Sequence, residues 1–162
     1  MVNKYFSKPC FYDTLNRCIL EHRPQGALSK DIVRFDSRLE LSVYLILLEF
    51  YLSDKIQRQY RVELKPKTKY SGAMYYVADF RINCNDPFLV EAKGRMTAES
   101  LVKLKILESF HPKLREGLMI VSERENFYFG KGCPPSITMT DFRLNLAVIN
   151  YKLPLYMGVL KQ

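Results

Sequence analysis

The chain has 162 residues, 48% hydrophobic and 26% charged, a composition that argues against a disordered chain and fits one globular domain burying roughly two-thirds of its unfolded surface. Lys and Arg (25) outnumber Asp and Glu (17), and the formal charge of +8 favours an anionic partner such as nucleic acid or a membrane face. There is no apolar run of about 18 residues to span a membrane and no apolar signal-peptide core in "MVNKYFSKPCFYDTLNRC", so an intracellular protein with no membrane partner is expected.

The first thirty or so residues are basic and rich in Tyr and Phe, punctuated by Pro24 and Gly26, and read as an arm or short helix leading into the core. Cys10, Cys18, Cys84 and Cys133 have no CxxC spacing and read as free thiols; Cys10, Cys18 and His22 match no standard zinc module. A helix is expected in "RFDSRLELSVYLILLEFYLSD", where Ser37 and Glu40 match the S-x-x-E capping box and Leu39, Val43, Ile46 and Phe50 recur at helical spacing. "IQRQYRVELKP" alternates as a strand does and ends at Pro66. "AMYYVADFRIN" and "PFLVEAKG" give two further strands joined through "NCNDP". From Thr97 the period is helical again, with Leu101, Leu104 and Leu107 inward and His111-Pro112 at the end, where His111 reads as a C-terminal cap partner. "GLMIVSE" is a short buried strand, and a last helix begins near Thr140–Asp141. Helix, three meandering strands, helix, strand, helix is the order of an α/β fold with a mixed sheet flanked by helices.

Three charges interrupt the apolar strands: Asp79, Glu91 and Lys93. Side chains two apart on a strand share a face, so Glu91 and Lys93 point the same way, and Asp79 on the neighbouring strand can join them. Either this is a solvated edge carrying an i,i+2 charge pair, or it is a site. Leu89, Val90 and Ala92 make the surroundings apolar, where charges are costly without partners or a function. Two carboxylates supply the oxygens a hard divalent cation such as Mg²⁺ takes, and a lysine two residues beyond can orient the attacking water or stabilise charge developing on a phosphate.

Asp79 followed by Glu91-Ala92-Lys93 resembles the core motif of the PD-(D/E)XK nuclease superfamily, with Ala78 where proline is common. "FDSRLE" upstream resembles the helix that supplies a further acidic residue in many of these enzymes. The run "ADF…FLVEAKG…KLKILESFHP…GLMIVSE" is similar in cadence to phage endonuclease-I-type Holliday junction resolvases and to the endonuclease subunit of heteromeric transposases. The resemblance covers about residues 35–123. It implies a restriction-endonuclease-like core within a single nuclease domain: an arm at 1–33, the catalytic core at 34–123 and a C-terminal extension at 124–162.

It further implies a metal-dependent DNA endonuclease in a bacterial or phage-infected cell, using Mg²⁺ with Mn²⁺ as a substitute. Asp79, Glu91 and the Ala92 carbonyl would be metal ligands, Glu40 an accessory ligand, and Lys93 the residue that positions water. Branched DNA is the expected substrate. A homing or restriction enzyme and a transposase subunit are alternatives, as is a non-catalytic nucleic-acid-binding module from another class. Cutting both strands implies a homodimer or a partner subunit. Lys103 and Lys105 on the helix after the motif, Arg95 before it, and the hairpin cluster Arg61, Lys65, Lys67 and Lys69, with Gln59 grouped beside it, are the expected DNA contacts. Each of these lysines is also explicable as a solvated surface charge, and Glu40 as nothing more than the capping partner of Ser37.

Overall fold

The computed structural model describes residues 8–25, 31–123 and 135–151. Three short strands come first, β1 (Cys10–Asp13), β2 (Cys18–Leu20) and β3 (Ile32–Phe35), pairing antiparallel in the order β2-β1-β3. The arm or short helix expected here is therefore a small sheet. Cys10 and Tyr12 alternate inward with Phe35 from β3, and a strand of four residues is too short for that period to stand out in the sequence. Asp13 closes the first hairpin by accepting the Leu15 and Asn16 amides at 2.9 Å, hydrogen bonds that hold its carboxyl below the usual range, that from Asn16 foremost.

Helix α1 (Arg38–Phe50) begins where Ser37 Oγ accepts the Glu40 amide at 3.1 Å. The return arm of the capping box lands one residue early, because Glu40 Oε2 accepts from Asp36 N at 2.9 Å and not from Ser37. The chain then lays down β4 (Ile56–Lys65), β5 (Met74–Ile82) and β6 (Phe88–Ala92) as an antiparallel meander. It crosses over through α2 (Ala98–Phe110) and α3 (Pro112–Glu116) to β7 (Leu118–Ser122), parallel to β6, and finishes with β8 (Ile137–Thr138) and α4 (Met139–Tyr151). The result is a mixed five-stranded sheet, β4-β5-β6-β7-β8, with helices packed on it. His111 caps α2 by position, and its ring also meets the Glu63 carbonyl on edge strand β4 at 2.9 Å, covering an otherwise open acceptor. No described helix is long and apolar enough to cross a membrane.

Two apolar clusters hold the sheet. One gathers α1, α4 and the small sheet around Phe35, Leu41, Leu47, Phe80, Val90 and Phe142. The other packs Leu104 and Leu107 of α2 on Val62, Ala78, Leu89 and Ile120. Residues of one parity on a strand normally share a layer, yet Tyr76 and Ala78 belong to the second cluster while Phe80 and Ile82 belong to the first. β4 makes the same exchange, from Ile56 in the first to Val62 and Leu64 in the second. Gln59 and Asp79 lie where the exchange happens, and Gln59 has φ 49°, the left-handed region, inside a strand.

The segment expected as a C-terminal extension contributes directly to the first cluster. Phe142 and Leu146 of α4 are fully buried against it, and Arg143 clamps Glu49 of α1 through two bonds at 2.9 and 2.7 Å. Phe142→Ala is expected to lower the unfolding free energy by about 3–5 kcal/mol. Leu144→Ala, on the exposed face of the same helix, should change it by less than about 0.5 kcal/mol. Urea denaturation of both checks this; equal small effects would make α4 an appendage.

Candidate functional site

The β5–β6 ladder runs Ile82↔Phe88, Arg81↔Leu89, Phe80↔Val90, and stops. From there β6 pairs only with β7, through Glu91↔Ile120, Ala92↔Val121 and a bond from the Lys93 amide to the Val121 carbonyl at 2.8 Å. The Ala92 amide turns the other way and donates to Asp79 Oδ2 at 2.8 Å. A side-chain carboxylate thus replaces a backbone carbonyl at the point where the two strands part.

Glu91 sits on the α2 side of this fork, buried to 7% exposure. Its Oε1 accepts from Lys93 Nζ at 2.7 Å, as the shared face of the two residues requires, and its Oε2 accepts from the Tyr76 hydroxyl at 3.2 Å. Burial, then the charge of Glu91, push the Tyr76 phenol well above its ordinary value, so it remains a donor to Glu91 at any physiological pH. From the α1 side comes Glu40, only 3% exposed, whose Oε1 accepts from Arg58 at 3.4 Å and from the Gln59 amide at 3.3 Å. Gln59 Nε2 also lies 3.5 Å from Asp79 Oδ1. Burial raises the Glu40 carboxyl, and burial followed by the charges of Glu91 and Glu40 raises that of Asp79 well above the carboxylate range.

Asp79, Glu91, Lys93 and Ala92 therefore meet at one fork, with Glu40 joined to them through Gln59. Among the described residues no group of three or more His, Cys, Asp or Glu side chains is arranged to hold a metal ion. Cys10, Cys18 and Cys84 are free; Cys133 lies outside the described residues. The expected basic contacts separate. Lys103, half-buried and paired with Glu99 at 2.7 Å, lines a cleft of about 150 Å³ together with Glu91, Lys93, Met96 and Ser100. Lys105 is exposed on the same helix, and Arg95 is exposed in the loop between β6 and α2; neither lines that cleft. Arg61 is exposed over the Tyr75 ring, 4.1 Å from its centre. Lys65, Lys67 and Lys69 are exposed at the hairpin end, where Lys65, six residues along β4 from Gln59, is roughly 20 Å from the fork.

Tyr76 and Arg58 were not legible as site residues. Tyr76 looks like any inward aromatic. Arg58 does carry a signal, a cation in the apolar register of Ile56, Tyr60, Val62 and Leu64. No family model matches the chain, and no curated protein or solved structure is significantly similar to it.

A carboxyl whose folded-state pKa is raised costs stability above that pKa and nothing below its unfolded value. Asp79 carries such a cost at neutral pH, even with its bond to the Ala92 amide. Asp79→Asn keeps an acceptor for that amide and is expected to raise stability in EDTA at pH 7.5 by about 1 kcal/mol, a Tm increase of roughly 2–4 °C. The gain should shrink as the pH falls toward 4. Thermal unfolding across pH measures it; a Tm below wild type at pH 7.5 would contradict the assignment of a strained carboxylate.

Proposed function

We propose that the chain is a Mg²⁺-dependent DNA endonuclease of the PD-(D/E)XK type, with a restriction-endonuclease-like core. The observation that carries this is the fork itself: Asp79 and Glu91, with Lys93 beside them, at the parting of the middle strands of the meander. The element order supports it, since α1, the β4–β5–β6 meander, α2 and β7 follow one another as in that superfamily's core.

The donor chemistry fits the cation. Mg²⁺ takes one or two carboxylates and keeps several waters, and Asp79 and Glu91 at the fork are two such donors. Asp79 and Glu91 would hold it with the Ala92 carbonyl, Glu40 contributing from the second side, and Mn²⁺ would substitute. When bound, the cation supplies neutralisation of the scissile phosphate and acidification of the attacking water. The chain's own residues supply the rest. Tyr76 fixes one oxygen of Glu91, which leaves the other to Lys93. Lys93, which lines the cleft, positions water and donates through Nζ to charge developing on the phosphate oxygens as one P–O bond forms and another breaks. Lys103, on the same cleft, meets a neighbouring phosphate.

Branched DNA, a four-way junction above all, is the proposed substrate, cut on both strands by a homodimer or with a partner subunit. The Glu91–Lys93 ion pair at 2.7 Å also favours a second reading, a non-catalytic DNA-binding module in which the pair is structural. Cleavage of junction, duplex and single-stranded DNA with Mg²⁺ separates the two. Asp79→Ala and Lys93→Ala are each expected to lower cleavage about 100-fold or more while DNA is still bound; equal activity in the variants, or none in any form, sinks the catalytic reading. In binding assays without cleavage, Lys103→Ala should reduce the slope of log affinity against log salt by about one. An unchanged slope would remove Lys103 from the phosphate contacts.

A further inference from the structure

Gln59 has a backbone its side chain does not favour. At φ 49° an L-residue other than Gly or Asn pays roughly 1–2 kcal/mol, and β4 accepts this in its interior, between Arg58 and Tyr60, which pair normally with Phe80 and Ala78. Glycine would make the turn without that cost. What glutamine adds is a long amide, and its Nε2 stands 3.3 Å from Glu40 Oε1 and 3.5 Å from Asp79 Oδ1. The two hydrogens of one NH₂ group thus bridge carboxylates carried by different elements, α1 and β5. Arg58 shares itself among three partners: the Arg34 carbonyl at 2.6 Å, the Phe35 ring at 4.0 Å and, more distantly, Glu40 Oε1 at 3.4 Å.

We propose that Gln59 is a positioning residue whose strained backbone aims a neutral double donor between Glu40 and Asp79, holding both carboxylates in register for a divalent cation. This rests on the nuclease reading of the fork. The neutrality matters. An ammonium or guanidinium in the same place would hold the carboxylates equally well, but its charge would compete with the cation they are to bind. An amide relieves part of their repulsion and adds no charge to that of Arg58, already 3.4 Å from Glu40 Oε1.

The test separates the backbone from the amide in the full-length chain. Gln59→Gly removes the amide and relieves the φ; Gln59→Met removes the amide at nearly constant length and keeps the strain. Two readouts are taken: the rise in Tm with added MgCl₂, and the Mg²⁺ concentration giving half-maximal junction cleavage. Both variants are expected to need about tenfold more Mg²⁺ in both readouts, as loss of a partner that orients a ligand does, while the glycine variant in EDTA is at least as stable as wild type. A glycine variant with the wild-type Mg²⁺ response would show that Gln59 supplies a backbone turn and nothing else, and would overturn the proposal. Should the glycine variant fail to fold, a wild-type response in Gln59→Met overturns it equally. Wild-type protein that shows neither a Mg²⁺-dependent Tm nor cleavage would bring down the nuclease reading itself. Cleaving wild type with unaffected variants would bring down only the role of Gln59.

Discussion

One hydrogen bond decides the shape of this molecule's centre: the Ala92 amide given to the carboxylate of Asp79. Had β5 continued to pair with β6 beyond Phe80↔Val90, that amide would have met a backbone carbonyl, and Asp79 would have stood on a sheet face like any strand residue. Substituting a side-chain acceptor satisfies a donor that could not be left bare, and lets the strands separate while β6 stays anchored to β7 through the Lys93 amide. The carboxylate is thereby fixed at the sheet's edge of opening. Glu91, Lys93, Tyr76, Gln59 and Glu40 are arranged around that parting.

The exchange of apolar layers at Gln59 and Asp79 belongs to the same event. A meander whose inward residues switch sides needs a point where alternation fails, and left-handed Gln59 on β4 stands across from Asp79 there. Failure of alternation also removes the usual separation of a polar face from an apolar one. Carboxylates from three elements consequently come close in a half-buried setting, where burial and mutual repulsion push Asp79 and Glu40 toward their neutral forms. Such crowding is unfavourable for folding, and the surrounding clusters, filled by residues such as Phe80, Leu89 and Phe142 at 0% exposure, must outweigh it.

What could be read from the sequence follows the strength of the local signals. α1 announced itself through Ser37 and four turns of helical spacing, and β4 through its alternation; both run within a residue or two of expectation. Asp79, Glu91 and Lys93 stood out because charge on apolar strands is expensive, and a cost is visible without a structure. The small N-terminal sheet was invisible because strands of three or four residues give no period. Gln59 was grouped with the basic hairpin, since a positive φ inside a strand leaves no mark on composition. Glu40 was legible as two things at once, cap and site residue, and it is bonded both ways: one oxygen on Asp36, the other turned to Arg58 and Gln59.

The charge distribution bears on how the proposed substrate would approach. The chain carries +8 overall, yet the fork gathers three carboxylates, and a phosphate backbone meeting them alone would be repelled. The cations divide into an outlying set, on the hairpin end at Lys65, Lys67 and Lys69, and an inner pair, Lys93 and Lys103, on the cleft itself. Outlying exposed charges attract a polyanion over about a Debye length, roughly 8 Å at physiological salt, and carry no information about where it is cut. The inner pair acts at contact distance, and both its members are already committed to carboxylates, Lys93 to Glu91 and Lys103 to Glu99. A phosphate entering the cleft must therefore exchange for those partners. On the proposed function, a divalent cation makes that exchange favourable by taking over Glu91, so that metal and phosphate would enter the cleft cooperatively.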